Sequence, residues 1–454
     1  MPLPRPAPIT APGPTGGRML RSIGGIRRDP LTFLTRMQAE FGDVMQFPIP
    51  TPPTYLVADV DAVRRVLVTN ARAYGKRTMQ YTTLSLVTGE GLLTADTEAW
   101  RTRRPLVQPA FHHDAVARIG DHVAAAVARL RERWDAATGP VDVEAAMLEL
   151  ALEVVGSSLF GTDLTGQARR LATATVAALD QVVARVRMPW APPLAVPTPG
   201  NLRLRSALRR LDAAVEAMLA ERAARPRPPG APARDMLDLL LAGGALTTTQ
   251  VRDEIVTFIV AGHETVATAL TWAWYLLGRD PAAARALAGE AARVLPADPA
   301  RLGQVDPAQL PYARAVLDEV LRLYPPAWLI TRRAAAPDRL GGIDVPAGAL
   351  VLLSPWLLHR DRRYWPEPAA FRPQRFAPEA PPLPRGAYLP FGAGPRQCIG
   401  RDLALREGVL VLAALARHFR LEPVGPDPVL PLAMVTVRPA AGLPMRPRSD
   451  MITP

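Results

Sequence analysis

The sequence predicts a mainly α-helical protein with a minor strand-rich region, and three observations support that prediction. Apolar residues recur at helical spacing through most of 59–225, 248–277 and 308–323. Short apolar runs at 44–49 and 55–58 have the length and composition of strands. The chain has 454 residues, of which 48% are hydrophobic, so it can bury a large core.

The sequence contains no convincing linker between two globular halves. We therefore expect one large domain over 21–454, preceded by a Pro/Gly-rich tail over 1–20 that we expect to be mobile. Two Pro-rich stretches, 188–201 and 225–232, interrupt the helical pattern and predict loops.

The later elements follow from the same signals. The long helix of 248–277 is expected to stop at Gly278 and Pro281, and the helix of 308–323 at Pro325. We then predict extended segments at 328–333 and 349–353, a Pro-rich segment without regular structure over 364–395, a helix after Cys398, and short strands near the C-terminus.

Charge and composition limit the class of protein. The formal net charge is +12, but the arginines are dispersed and do not alternate with aromatic residues, so we expect no nucleic acid partner. The single cysteine excludes an intramolecular disulfide and any cysteine-rich metal site. No apolar run has the length of a membrane span and no signal peptide is recognisable, so we expect a cytoplasmic monomer without a membrane anchor.

The single cysteine lies in the segment FGAGPRQCIG, residues 391–400. Gly392 and Gly394 allow a tight backbone whose N–H groups can point at a thiolate. Arg396 supplies a cation for an acidic group, and Gly400 would let a helix start close against a flat ligand. The alternative is a buried structural cysteine, but the whole pattern favours a cysteine that ligates haem iron.

The long helix contains the sequence AGHET, residues 261–265. Glycine in mid-helix costs about 1 kcal/mol relative to alanine, so Gly262 indicates a close backbone approach or a local opening. The Thr265 hydroxyl could hold water or dioxygen there, with Glu264 as a proton relay. In the alternative, Thr265 bonds back to its own helix and Glu264 is a surface charge.

Two further groups of residues have predicted roles. Glu319 and Arg322 share a helical face, and with Arg375 they could form a buried structural triad; the alternative is a weak surface ion pair. Trp100 and Arg104, spaced i and i+4, can reach one carboxylate.

The remaining cationic and histidine candidates are less specific. Arg332 or Arg333, together with Arg396, could bind further carboxylates. His359 is ambiguous between a metal ligand and a surface or capping residue.

These motifs resemble the cytochrome P450 superfamily. The cysteine pattern, A-G-x-E-T, E-x-x-R, F-x-P-x-R-F and W-x-x-x-R occur in the family's order, and the resemblance covers roughly 29–446. Segments 80–94, 260–267, 321–328 and 435–444 look more closely like the thermophile-type bacterial β-carotene hydroxylases. The longer N-terminal tail and the Pro-rich insert at 188–201 depart from that branch.

The resemblance implies haem b, with Cys398 as iron ligand and dioxygen as co-substrate. Electrons would come from NAD(P)H through an acidic ferredoxin and its reductase. Its further residues would be Phe391, Gly392, Gly400, Trp100, Arg104, Arg332 and Arg396 at the cofactor, and Gly262, Glu264 and Thr265 at the oxygen site.

The resemblance also implies hydroxylation of a large apolar substrate, either a carotenoid ring or a related isoprenoid. The alternatives are another terpene, a fatty acid or a secondary metabolite, direct use of peroxide, and a non-catalytic haem sensor or electron-transfer protein. The predicted apolar pocket is formed by Gln80, Tyr81, Leu84, Val87, Met188, Trp190, Phe258, Ala261, Leu329, Ile330 and Val435.

Overall fold

The computed structural model describes residues 9–49, 51–112, 116–164, 168–188, 191–228 and 231–449. Unit 1 consists of the described residues of Met1–Thr83, Leu321–Ala370 and Pro381–Cys398. Unit 2 consists of those of Leu84–Val320, Phe371–Ala380 and Ile399–Pro454. The predicted single domain with a mobile tail stays a prediction.

Helices make up most of the described chain, which confirms the predicted fold class. In chain order they are α1 (Gly16–Arg28), α2 (Pro30–Phe41), α3 (Val60–Arg64), α4 (Met79–Thr88), α5 (Thr97–Val107), α6 (Ile119–Asp135), α7 (Val143–Phe160), α8 (Ala168–Val186), α9 (Pro199–Ala224), α10 (Met236–Leu241), α11 (Thr248–Arg279), α12 (Pro281–Val294), α13 (Pro311–Leu323), α14 (Pro355–Leu358) and α15 (Arg401–Ala416).

The strands are short, as the sequence predicts. They are β1 (Val44–Phe47), β2 (Thr54–Val57), β3 (Tyr74–Gly75), β4 (Val141–Asp142), β5 (Ile330–Ala334), β6 (Asp338–Leu340), β7 (Ile343–Val345), β8 (Leu350–Leu353), β9 (Arg420–Pro423), β10 (Pro431–Ala433), β11 (Val437–Pro439) and β12 (Pro444–Arg448).

Unit 1 is organised around a five-stranded sheet with the strand order β1-β2-β8-β5-β3. β2 and β8 run parallel, whereas β5 pairs antiparallel with β8, so that Arg332 lies opposite Val351. Tyr55, Val351 and Leu67 belong to the buried apolar cluster beneath this sheet. The sheet therefore gives β5 a firm support from which it can present side chains.

Unit 2 contains the long helix α11, which starts at a capping box. The Thr247 hydroxyl accepts a hydrogen bond from the Gln250 N–H at 3.3 Å, and the Gln250 side chain accepts one from the Thr247 N–H at 2.9 Å. Near the other end, the Trp272 indole donates to the Val437 carbonyl at 2.7 Å. The helix is long and apolar enough to cross a bilayer, but 83% of its most apolar window is buried in the protein, as in a core helix.

Three boundaries differ from the sequence-based expectation. Pro199 begins α9 instead of lying in the preceding loop, because proline is well suited to the first turn, where its missing N–H has no intrahelical partner. Gly278 lies inside α11, which continues to Arg279 before Pro281 opens the next helix. Finally, α1 begins at Gly16, within the predicted tail.

Candidate functional site

The loop that carries Cys398 in unit 1 is held in a tight conformation by its own backbone. Gly392 and Gly394 have φ angles of +67° and +71°, which side-chain-bearing residues rarely adopt. The Cys398 N–H donates to the Phe391 carbonyl at 3.0 Å, and this bond closes the loop. The Cys398 side chain is exposed, although free cysteine is among the most often buried residue types. Its exposure is therefore consistent with a thiolate that meets a ligand.

Gly394 also fixes where this loop lies in unit 1. A Cβ atom added to Gly394 would lie 1.9 Å from the carbonyl oxygen of Leu67. Leu67 belongs to a short π-helical turn, Arg65–Thr69. Any side chain at position 394 would therefore force that turn or the cysteine loop to move.

His359 supports the start of the cysteine loop. It is fully buried, and its Nε2 atom accepts a hydrogen bond from the Leu389 N–H at 2.8 Å. Burial, reinforced by the charge of Arg360, lowers the pKa of His359 to about 3, so its ring is neutral. The sequence leaves this residue ambiguous between a metal ligand and a surface or capping residue, and its buried position corrects the surface role.

Arg322 is also fully buried, and its guanidinium binds backbone carbonyls of unit 1. It donates to the carbonyls of His359 at 2.9 Å, Pro368 at 2.7 Å and Ala370 at 3.0 Å. Its charged group lies 5.1 Å from the centre of the Trp365 ring. Arg322 therefore stabilises segment 359–370, which precedes the cysteine loop in the sequence.

The other two members of the predicted triad lie in unit 2. Glu319 is fully buried and lies 3.4 Å from the Arg375 Nε atom. It also accepts a hydrogen bond from the Arg372 N–H at 2.8 Å. These contacts favour a structural role over a weak surface ion pair, and the role of the three residues as one unit stays a prediction.

One face of α11 is accessible in the middle of an otherwise buried helix. Between Val251 and Leu277 the residues that are not buried are Arg252, at one end, and Ala261, Gly262 and Thr265. The last three occupy positions i, i+1 and i+4 and therefore share one face. We call them the accessible face of α11.

Gly262 and Thr265 on this face make contacts that agree in part with the expectations from the sequence. A Cβ on Gly262 would lie 2.9 Å from the Val155 Cγ2 atom of α7, so glycine permits close helix packing. The helix remains α-helical there, and the local opening is not observed. The Thr265 hydroxyl donates to the Ala261 carbonyl at 2.8 Å, as in the alternative interpretation of this residue.

Glu264 faces the interior of unit 2 and is not a surface charge. It is 4% exposed, and its Oε1 atom accepts a hydrogen bond from the Thr436 hydroxyl at 2.8 Å. Burial raises the pKa of Glu264 to about 7, and the Thr436 bond and the charge of Arg438 oppose that rise. The carboxyl group therefore exchanges a proton readily near neutral pH.

A second carboxyl group belongs to the same electrostatic neighbourhood. Burial raises the pKa of Glu144 to about 7, and the charges of Asp142, Glu264 and Asp180 add to that rise. Arg438 binds Asp180 at 2.7 Å and partly offsets the negative charge. The sequence offered no signal for this cluster, because its members come from distant parts of the chain.

The predicted carboxylate-binding pair lies on α5 in unit 2. Trp100 and Arg104 are both half-buried. Arg104 also donates to the Gln108 side chain at 3.0 Å, so part of its hydrogen-bonding capacity faces its own helix.

Arg103 lies between Trp100 and Arg104 in the sequence, and no sequence motif predicts a role for it. It is buried beside Glu254 of α11, at 3.4 Å, and also donates to the Glu90 carbonyl. Glu254 accepts a further bond from the Leu92 N–H at 3.0 Å, and burial raises its pKa to about 6. This buried pair joins α5 and the 89–92 loop to α11. Nothing in the sequence distinguishes Arg103 from the many other arginines.

In unit 1 the structure distinguishes Arg332 from Arg333, which the sequence offers as alternative carboxylate-binding residues. Arg332 is buried, whereas Arg333 is exposed. Arg332 donates to the Thr331 carbonyl at 2.9 Å and lies 3.4 Å from the Tyr81 hydroxyl. The Thr331 hydroxyl donates to Gln80 at 2.9 Å. Two predicted pocket residues, Gln80 and Tyr81, therefore contact β5, the strand that carries Arg332.

The other predicted pocket residues are in varied surroundings. Val87 is wholly buried and Met188 is 50% exposed, whereas Trp190 lies outside the described residues. Phe258 is buried, and its ring centre lies 5.6 Å from that of Phe111. The half-buried ones are Ala261, Leu329, Ile330 and Val435, and Leu84 is buried.

Comparison with known proteins identifies the family. The family profile of Cytochrome P450 matches residues 7–443. The chain belongs to the cytochrome P450 family. Members of this family are monooxygenases that bind haem through a cysteine thiolate and use dioxygen, so the alternative of a non-catalytic haem protein is not retained.

Three P450 relatives cover nearly the whole chain. Cyclooctat-9-en-7-ol 5-monooxygenase of Streptomyces melanosporofaciens is 34% identical over 91% of this chain and 90% of its own length. Protein LUTEIN DEFICIENT 5, chloroplastic, of Arabidopsis thaliana is 30% identical over 89% of this chain and 71% of its own. The crystal structure of CYP175A1 from Thermus thermophilus aligns with a TM-score of 0.77 at 34% identity, covering 94% of this chain and 97% of that one. This last likeness agrees with the predicted thermophile-type branch.

The residues around the predicted cofactor are chemically suited to haem. In unit 1 the exposed Cys398 offers the soft thiolate that iron requires. In unit 2 a Cβ on Gly400 would make only an ordinary contact, 3.5 Å from the Phe111 ring, so protein packing alone does not demand glycine there. A flat ligand beside the start of α15 would account for the glycine at this position.

Proposed function

We propose that this P450 hydroxylates a large apolar isoprenoid and that the ring of a carotenoid such as β-carotene is its substrate. The observation that carries the proposal is the accessible face of α11, where Thr265 lies beside the small residues Ala261 and Gly262. A face of this kind leaves room for a bulky hydrocarbon next to the hydroxyl that handles oxygen.

The cofactor is held, in this proposal, by the residues that the family resemblance implies. Cys398 ligates the iron, and Phe391, Gly392 and Gly400 shape its surroundings. Trp100, Arg104, Arg332 and Arg396 bind the propionates, for which an arginine guanidinium or an indole N–H is a suitable donor. Bound haem supplies the thiolate-ligated iron at which dioxygen is reduced.

Thr265 and Glu264 handle water and protons in this proposal. The Thr265 hydroxyl can exchange its bond to the Ala261 carbonyl for one to a water molecule or oxygen species on the accessible face. Glu264, with a pKa near 7, can release and regain a proton at neutral pH. The buried Thr436 hydroxyl holds the carboxyl group in place while it does so.

The carotenoid assignment rests on the likeness to the thermophile-type branch and on the relative named for lutein deficiency. A compact cyclic terpenoid is the second candidate. It is favoured by the relative whose name specifies oxidation of cyclooctat-9-en-7-ol, a cyclic alcohol. A carotenoid is much longer than a compact cyclic terpenoid, so only the carotenoid requires a pocket that is open at one end.

Redox proteins complete the proposed system. Electrons come from NAD(P)H through an acidic ferredoxin, because the net charge of +12 leaves a positive surface for it. The proposed location is the cytoplasm, and the proposed state is a monomer.

The experiment compares β-carotene with a cyclic sesquiterpene hydrocarbon. Each is added to the haem-loaded enzyme, the low-spin to high-spin shift is recorded, and products are extracted after turnover with ferredoxin and its reductase. A spectral shift and ring-hydroxylated xanthophylls are expected with β-carotene. A shift and product with the sesquiterpene alone would replace the carotenoid by the second candidate.

A matched pair of variants tests whether the accessible face meets the substrate. Ala261→Leu should weaken the substrate-induced shift, because the larger side chain occupies space beside Thr265. Ala282→Leu makes the same change on the exposed surface of α12 and should leave the shift unaltered. Equal behaviour of the two variants would place the substrate elsewhere.

A further inference from the structure

Helix α1 in unit 1 is the least buried of the long helices, since none of its residues is buried. Leu20 is 70% exposed and Ile23 is 40% exposed. Together with Arg27 they occupy positions i, i+3 and i+7, so they share one face of the helix. We call these three residues the outer face of α1.

The opposite side of α1 is the one that contacts the rest of unit 1. Arg18 pairs with Glu40 of α2, and its guanidinium lies 5.6 Å from the centre of the Phe41 ring. Met19 and Ile26 are half-buried. The helix is therefore attached along one side, and the outer face is not used by that attachment.

The charge around the outer face has one sign. The sequence of α1 contains Arg18, Arg21, Arg27 and Arg28 and no acidic residue. Arg21, Arg27 and Arg28 are exposed, and their side chains make no hydrogen bond or ion pair with the described residues. Two acidic residues lie near the helix and both are engaged: Glu40 pairs with Arg18 on the attached side, and the Asp29 side chain accepts a hydrogen bond from the Thr32 N–H at 3.0 Å.

We propose that the outer face of α1 binds the surface of an anionic lipid bilayer. Two exposed aliphatic side chains can enter the boundary between headgroups and acyl chains, while the arginines around them bind lipid phosphates and carboxylates. The contact is peripheral and differs from a membrane-spanning anchor, because α1 has 13 residues, four of them glycine.

This contact would also serve catalysis, and that consequence rests on the proposed function. A carotenoid or comparable isoprenoid partitions into the bilayer, so an enzyme bound to the surface meets a far higher local concentration of substrate. Substrate that is offered in detergent micelles would not require the contact.

The test uses the full-length, haem-loaded protein and sedimentation with phosphatidylcholine vesicles that contain or lack phosphatidylserine. The wild-type protein should bind vesicles with phosphatidylserine at least about tenfold more strongly than those without it, and rising salt should weaken that binding. Both the double variant L20E/I23E and the triple variant R21Q/R27Q/R28Q should lose it. Leu430→Glu, at an exposed leucine of unit 2, is the control and should bind like the wild type.

Two outcomes would overturn the proposal. One is an absence of binding by the wild type, and the other is undiminished binding by both α1 variants whose haem spectrum and helix content are normal. If vesicles do not bind but the triple variant slows reduction by ferredoxin, the outer face serves an acidic protein and the lipid proposal is wrong. Turnover in detergent separates the claims, because it tests the proposed function and should be equal in the wild type and all α1 variants.

Discussion

The Nε2 atom of His359 accepts a hydrogen bond from the Leu389 N–H at 2.8 Å, and the carbonyl of the same histidine receives the guanidinium of Arg322. One buried residue thus links the end of α13 to the loop that ends in Cys398. The imidazole in this link is neutral, so its bond to the Leu389 N–H is insensitive to pH across the physiological range.

Replacing His359 by alanine should loosen the cysteine loop. The Leu389 N–H would lose its acceptor inside the protein, which costs about 1–3 kcal/mol. The free energy of unfolding in urea should fall by that amount, and haem should transfer faster to an excess of apomyoglobin. His112→Ala, at an exposed histidine, should change neither quantity. Unaltered haem release in His359→Ala would show that the loop does not depend on this bond.

Cys398→Ser should abolish the spectral signature of thiolate ligation. Serine is a poor iron ligand, so the reduced carbon-monoxide complex should lose its red-shifted absorption band. Cys398→His provides the comparison, because imidazole should retain haem and give a globin-like spectrum. A red-shifted band that persists in Cys398→Ser would remove Cys398 from the ligand position, since the chain has no other cysteine.

Thr265→Ala should uncouple electron consumption from product formation. Loss of the hydroxyl on the accessible face would misdirect protons, so peroxide should accumulate while NAD(P)H oxidation continues. Thr271→Ala is the matched control, because Thr271 also bonds back to its helix, at 2.7 Å from the Ala267 carbonyl, but is buried. Similar uncoupling in both variants would indicate damage to α11 and not a role in oxygen handling.

Glu264 should make the folded protein less stable as pH rises. Its pKa is raised from 4.5 to about 7 in the folded state, so the folded protein holds this proton more firmly than the unfolded chain does. The resulting stability is complete below about pH 4.5 and is lost as the pH rises to about 7, by roughly 3 kcal/mol.

Urea titrations across that pH interval measure this effect. Glu264→Gln should flatten the dependence in part, while Glu144 continues to contribute. The same variant should reduce coupling at neutral pH, because an amide cannot relay a proton. A pH dependence of stability identical to that of the wild type would mean that Glu264 is ionised when buried.

Reduction of the enzyme by ferredoxin should be sensitive to salt. The net charge of +12 attracts an acidic partner, and salt screens such attraction over about 10 Å at 0.1 M. At limiting ferredoxin the rate measured by stopped flow should therefore fall as salt is raised. A rate that is independent of salt would favour apolar docking or another electron donor.

Helices and strands were predicted well where one signal dominated the local sequence. The apolar spacing of α11 marks a helix whatever surrounds it. Pro199 was misplaced because the same residue that ends one helix can begin another, and only the Thr198 cap distinguishes the two cases.

The candidate site was predicted in its motifs but not in its supporting contacts. Cys398 and Thr265 occur in patterns that local spacing makes visible. The partners of Glu264 and Arg103 are Thr436 and Glu254, which lie more than a hundred residues away in sequence. Such pairs depend on how distant segments pack, and a single sequence contains no record of that packing.

The contact between Gly394 and the Leu67 carbonyl limits how this enzyme can be redesigned. Laboratory evolution that diversifies the cysteine loop alone would fill position 394 with side chains that collide with a turn the library leaves unchanged. Productive variants would need compensating changes near Leu67, so the two segments should be randomised together. The natural unit of engineering is then a pair of segments more than three hundred residues apart.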